Sequence, residues 1–128
     1  MSPLDLTVWR RFLLLHPDQF ESLTYDVRVG DGQAEPEDEE QGHAHEWLQL
    51  AQKRIDAVGI WQNTIAIIEV KPKASFTALG QLLVYRDLYT ATKKPTASVT
   101  LWAVCGSADR EVRLTYLRLG VSILEVGD

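Results

Sequence analysis

The stretch Lys53–Lys71, KRIDAVGIWQNTIAIIEVK, decides how the chain folds. Two apolar runs, Lys53–Trp61 and Thr64–Lys71, flank Gln62-Asn63, a polar pair that suits a two-residue hairpin turn. Along Thr64–Lys71, side chains that alternate with period two put Ile65, Ile67, Glu69 and Lys71 on one face and Ala66, Ile68 and Val70 on the other. Away from the charges both faces are apolar, which predicts a strand in the middle of a sheet covered on both sides.

With Gln62 and Asn63 as the loop, Trp61 faces Thr64, Asp56 faces Glu69 and Arg54 faces Lys71, all four charged groups on one face. Two carboxylates whose Cβ atoms are ~5 Å apart repel, and facing like charges destabilise a sheet. Such a pair needs a compensating cation, and its all-oxygen character suits a hard divalent ion, Mg²⁺ or Mn²⁺. Lys71 follows Glu69 on the same face, within reach of a phosphoryl oxygen beside that ion. Pro72 lacks a ladder donor and is expected to end the strand. A cation that acidifies water, with an ammonium group to neutralise developing charge, is machinery for phosphodiester hydrolysis.

The flanking sequence completes an α/β pattern. Ser2-Pro3-Leu4-Asp5 reads as a capped helix start, with Leu4, Val8, Phe12 and Leu15 as the buried stripe and a stop before Pro17. Leu23, Tyr25, Val27 and Val29 alternate as a strand that ends at Gly30-Asp31-Gly32. Ser75 caps a helix running to about Ala91, Ala97–Val104 is a buried strand, Ser107 starts a helix that Gly120 terminates, and Val121–Val126 is a last strand. This order predicts a mixed central sheet flanked by helices, because strand-helix-strand units impose parallel crossovers.

Composition sets the outer limits. A chain of 128 residues, 45% hydrophobic and 24% charged, fits one domain with a single core. No run approaches the ~20 apolar residues of a membrane span, and no signal peptide is read, so the expected location is cytoplasmic. The net charge of −5 is concentrated: Asp31–His45 holds six acids and no Lys or Arg, and is expected to be an exposed loop. Trp47–Lys94 carries seven bases against three acids, enough for a local positive face. Arg54, Lys73, Arg86, Lys93 and Lys94 are the candidate phosphate contacts. The single cysteine, Cys105, ends an apolar run and is read as a buried thiol.

Asp56, then Glu69-Val70-Lys71, then a helix carrying Gln81 and Tyr85 resembles the PD-(D/E)XK nuclease superfamily, in motif and in element order, over roughly Leu4–Val104. Ile55 stands where the superfamily's signature Pro would precede the aspartate. The resemblance implies a restriction-endonuclease-like αβββαβ core, here with an extra C-terminal helix and strand. It implies Asp56, Glu69 and the Val70 carbonyl as metal ligands, Lys71 as the catalytic lysine, and Gln81 and Tyr85 bordering the site. Relatives often add an acid from the first helix. Asp5, Glu21 and Glu46 are the candidates, and Glu21 is preferred.

Each feature also has a plainer reading. Glu69 and Lys71 could form an ion pair at the sheet rim, worth little, although that leaves the facing acids unexplained. Tyr85 could be a core aromatic with its hydroxyl at the rim. His43 and His45 share a strand face but lack a third ligand. The function expected is a Mg²⁺- or Mn²⁺-dependent nuclease acting on nucleic acid, DNA before RNA, with no membrane partner. Small relatives often pair, so the resemblance allows a homodimer, with Ser107–Leu119 and the last strand as its candidate interface. The alternative is a catalytically silent nuclease-fold module that binds nucleic acid or a protein.

Overall fold

The computed structural model describes residues 1–30 and 53–128. The acidic tract, His43, His45, Glu46 and Trp47 lie outside the described residues. The elements in order are helix α1 (Pro3–Leu15), strands β1 (Ser22–Val29), β2 (Lys53–Trp61) and β3 (Thr64–Ala74), helix α2 (Phe76–Lys93), strand β4 (Ser98–Ala108), a 3-10 turn (Arg110–Val112), helix α3 (Arg113–Arg118) and strand β5 (Val121–Glu125). The five strands form one mixed sheet in the order β1-β2-β3-β4-β5. β2 runs antiparallel to both β1 and β3, and β4 runs parallel to both β3 and β5. Among the described residues no helix is long and apolar enough to cross a membrane.

Local chemistry accounts for most boundaries. The Ser2 hydroxyl accepts from the Asp5 amide while the Asp5 carboxylate accepts from the Ser2 amide, a complete capping box with Pro3 behind it. The Ser75 hydroxyl accepts from the Thr77 amide at the start of α2, and Lys94 closes that helix in the left-handed conformation just before Pro95. Gln62 and Asn63 both have positive φ, 46° and 59°, and Trp61 pairs with Thr64. This is a primed hairpin turn, whose twist matches that of the strands it joins.

The central strand alternates as its sequence requires. Ala66, Ile68 and Val70 pack with Val8, Trp9 and Phe12 of α1, while Ile65 and Ile67 pack with Leu79, Leu82 and Tyr85 of α2. The α1 side is built on aromatic contacts: Phe20 lies 5.2 Å from Trp102 and 5.6 Å from Trp61, centroid to centroid. On the other side the Tyr116 hydroxyl donates to the Ser75 carbonyl at 2.6 Å, tying α3 to the start of α2. That bond fixes the end of α2 nearest the charged end of β3.

Three expectations are corrected. β3 continues through Pro72 to Ala74 because the β2–β3 ladder ends at Ala57 and Ile68; beyond it β3 pairs on one side only, and a missing amide there costs no ladder bond. β4 runs to Ala108, with Ser107 paired to Lys73, so the final helix starts later and is shorter than the run from Ser107 suggested. Leu4 and Leu15 are exposed, and Val8, Trp9 and Phe12 form the buried face of α1 instead.

A Cβ added at Gly59 would lie 2.6 Å from the Phe20 ring. Because that ring is held between Phe12, Trp61 and Trp102, it cannot retreat. Gly59→Ala is expected to cost about 1–3 kcal/mol in urea unfolding with an unchanged slope; an unchanged midpoint would show that the aromatic cluster is loosely packed.

Candidate active site

The site is a fork in the sheet. Across β1 and β2, Tyr25 pairs with Ala57 and Val27 with Ile55, so the register runs unbroken. The faces nevertheless change: Leu23 and Ala57 pack on the α1 side, whereas Val27, Val29 and Ile55 pack on the α2 side. The change falls at Asp26, whose φ of 51° is left-handed within β1, and at Asp56, the residue opposite it by register. Such local irregularities bend a ribbon and re-aim a side chain. Here β1 and β2 turn away from β3 together, and the β2–β3 ladder stops at Ala57 and Ile68.

Asp56 fills the gap. Its Oδ2 accepts from the Val70 amide at 2.8 Å, replacing a backbone carbonyl that β2 no longer offers. The carbonyl of Val70 leaves the strand on the same edge as its amide, so it faces the fork. Glu69 lies across from Asp56, within hydrogen-bond reach of it, and only 4% of its surface is exposed. Its Oε2 is buried with no hydrogen-bond partner among the described residues. Lys71 Nζ lies 3.7 Å from Glu69 Oε1.

Burial is the main reason the Glu69 carboxyl is pushed from its ordinary 4.5 up to about 8, followed by repulsion from Asp56 and the hydrogen bond shared with it. Lys71 partly offsets these effects, and Asp5 adds a small further repulsion. Tyr85 is buried at the edge of the same site. Its phenol is pushed up to about 12, chiefly by burial and then by the charges of Glu69 and Asp56. Gln81, one turn earlier on α2, holds its Oε1 buried without a partner. A surface ion pair at the sheet rim therefore does not describe Glu69.

Asp56, Glu69, Val70 and Lys71 thus converge, with Tyr85 beside them and Gln81 sharing a cavity wall with Tyr85, but other expected residues do not. Glu21 is not a ligand here: its Oε1 accepts from the Gln62 amide at 2.8 Å, at the hairpin turn. That turn is at the far end of β2, about 17 Å from Asp56 at the strand rise per residue. Asp5 is the α1 acid whose charge reaches Glu69. Arg54 does not face Lys71, because the ladder has ended; it pairs across β1 with Arg28, and both are exposed. Lys73 lies 3.7 Å from Asp109 in an ion pair. Lys93 and Lys94 sit at the C-terminal end of α2, where Lys93 faces a cavity lined by Thr24 and Ile60, toward the hairpin end of the molecule. Arg86 is half-buried on α2.

Sequence reading missed Asp26, Arg28 and Lys53. Asp26 and Asp56 both line a cavity of about 460 Å³ on the α1 side, with Trp9, Arg10 and Tyr25. Lys53 joins Gln81 and Tyr85 around another cavity, of about 440 Å³, on the α2 side. The 23 residues that separate β1 from β2 leave the register of those strands unread in the sequence, so Arg28 opposite Arg54 could not be found by pairing arithmetic. Among the described residues, no group of three or more His, Cys, Asp or Glu side chains is placed to hold a metal ion on its own.

No family model and no curated protein matches the chain. A solved structure described as a protein of unknown function, AF1548, is similar with a TM-score of 0.56 and 12% identity over 94% of this chain. The chain spans 56% of that structure's length, and at this identity the likeness concerns the fold alone.

A raised carboxyl pKa has a defined effect on stability. Below 4.5 Glu69 is protonated whether folded or not; between 4.5 and about 8 the unfolded chain gives up the proton that the folded chain keeps. Metal-free stability therefore falls as pH rises through this window. Glu69→Gln, which supplies a neutral amide donor to Asp56, is expected to raise stability at pH 8 by roughly 4 kcal/mol, with the gain vanishing toward pH 4.5. Chemical denaturation across this range checks it, and a gain that does not vary with pH would contradict the cause given.

Proposed function

We propose that the chain is a nuclease of the PD-(D/E)XK type, hydrolysing phosphodiester bonds in nucleic acid, DNA before RNA, with Mg²⁺ or Mn²⁺. The reading rests on one observation: Glu69 Oε2 is buried without a partner beside a second carboxylate and an ammonium group. Ionising a carboxyl buried in this way is costly unless a cation compensates it. The element order and the mixed sheet support a restriction-endonuclease-like core, with α3 and β5 added at its end.

The donor set fits a hard divalent cation. Asp56 commits Oδ2 to Val70, which leaves its other oxygen, Glu69 Oε2 and the Val70 carbonyl as oxygen donors around one point. Mg²⁺ accepts so few protein ligands because it keeps several waters and takes phosphate oxygens from the substrate. When bound, the ion would supply Lewis-acid stabilisation of phosphoryl charge and a more acidic water.

The remaining work belongs to the side chains. The Val70 amide holds the Asp56 carboxylate in one orientation, so the oxygen positions are set before substrate arrives. Lys71 Nζ, half-exposed and 3.7 Å from Glu69, is placed to orient the attacking water and to neutralise charge that builds on the phosphoryl group. Tyr85 stays a phenol at neutral pH and can donate a hydrogen bond beside the carboxylates, while Gln81 offers an amide at the same rim.

Asp56→Asn keeps an oxygen acceptor for Val70, and Lys71→Ala removes a half-exposed group, so both variants should fold. With Mn²⁺ and plasmid or oligonucleotide substrates, Asp56→Asn, Glu69→Gln and Lys71→Ala should each lose at least about 10²-fold in rate. Mn²⁺ titration by calorimetry should show binding to the wild type and its loss in Glu69→Gln. Cleavage by Glu69→Gln at the wild-type rate would overturn the proposal. Absence of both cleavage and Mn²⁺ binding in the wild type would leave a silent module of the same fold.

A further inference from the structure

A cavity of about 440 Å³ opens between the start of β2 and the first turns of α2, with Tyr85, which feels the charges of Glu69 and Asp56, in its wall. That volume lies within the range of small-ligand sites. Its walls combine three features. Phe76, at the first position of α2, is 76% exposed, and Val84 further along the same wall is 49% exposed. Gly80 leaves the wall open, since a Cβ there would meet nothing within 4 Å. Gln81 holds a buried Oε1 with no hydrogen-bond partner among the described residues, and Lys53 supplies a cation at the rim.

An exposed aromatic ring, an amide oxygen in want of a donor, and a cation beside a phosphodiester-cleaving site share one complementary ligand. A nucleobase has a π face for Phe76, exocyclic or ring N–H groups for Gln81, and a phosphate attached for Lys53. A base within a duplex cannot present its face, because that face is covered by its neighbours in the stack. Building on the nuclease reading, we infer that this cleft binds one unpaired base beside the scissile phosphate, and that the substrate is single-stranded nucleic acid or a frayed or flapped end. Tyr85 links the two parts, since it lines the cleft and also feels the charges of Glu69 and Asp56.

The test compares a fluorescent single-stranded oligonucleotide with the blunt duplex of the same sequence, using the whole protein. Binding is read by anisotropy in metal-free buffer and cleavage in Mn²⁺. The wild type should bind and cut the single strand at least about tenfold better than the duplex. Phe76→Ala should weaken single-strand binding by about 5- to 150-fold, the range for one lost base–aromatic stack, and should raise KM rather than lower kcat. Phe76→Trp should restore binding. Gly80→Leu, which removes a helix glycine and fills the cleft, should leave the thermal midpoint intact or raised while single-strand binding falls. Equal handling of single strand and duplex, or single-strand affinity unchanged in Phe76→Ala and Gly80→Leu, would overturn the subsite. If the wild type cleaves nothing, the nuclease reading fails, and the metal-free anisotropy series still decides for or against the base-binding cleft.

Discussion

The departure of β2 from β3 is the constraint on which the site depends. A β-ladder that continued past Ala57 and Ile68 would pair the backbones of Asp56 and Glu69 and leave no room for a ligand between them. Instead, Asp56 uses a side-chain oxygen to satisfy the Val70 amide, so the two strands stay joined by a carboxylate where the backbone bonds stop. The opening costs little hydrogen bonding, because the donor most exposed by it has a partner. What it creates is a pair of acids, one nearly fully buried, with a lysine 3.7 Å from the buried one.

The same geometry confines the cost of the site to the few residues that form it. The apolar layers on either side of the sheet are complete without the charged residues: α1 packs on Ala66, Ile68 and Val70, and α2 packs on Ile65 and Ile67. Glu69 is thus the next residue on the α2 face after two isoleucines, and its burial follows from its place in the central strand. Its unfavourable environment is local. The Tyr116–Ser75 bond and the Ser75 cap then hold the start of α2 beside it, which brings Gln81 and Tyr85 into position.

Much of this was legible in the sequence. The hairpin, its two-residue turn and the alternation of β3 follow from apolar spacing and two polar residues; the expected pairing of Asp56 with Glu69 lies one step beyond the last ladder pair, Ala57 with Ile68, and the two carboxyls approach across the fork instead. What failed did so for identifiable reasons. Asp26 and Asp56 shift both strands by one face at the same step, a change that period-two counting cannot see, and this removed the expected partnership of Arg54 with Lys71. Pro72 misled because its effect depends on whether a neighbouring strand is present, and the end of the β2–β3 ladder was not visible. Glu21 misled because its position along the chain says nothing of its use at the hairpin turn.

The central claim is that Glu69 and Asp56 form a strained pair awaiting a divalent cation. Carboxyl-carbon NMR of Glu69, titrated with and without Mg²⁺, measures it at the atom concerned. The account predicts a metal-free titration well above the ordinary range, at about 8, falling by several units when Mg²⁺ is added. A carboxyl that titrates near 4.5 and does not respond to Mg²⁺ would contradict it.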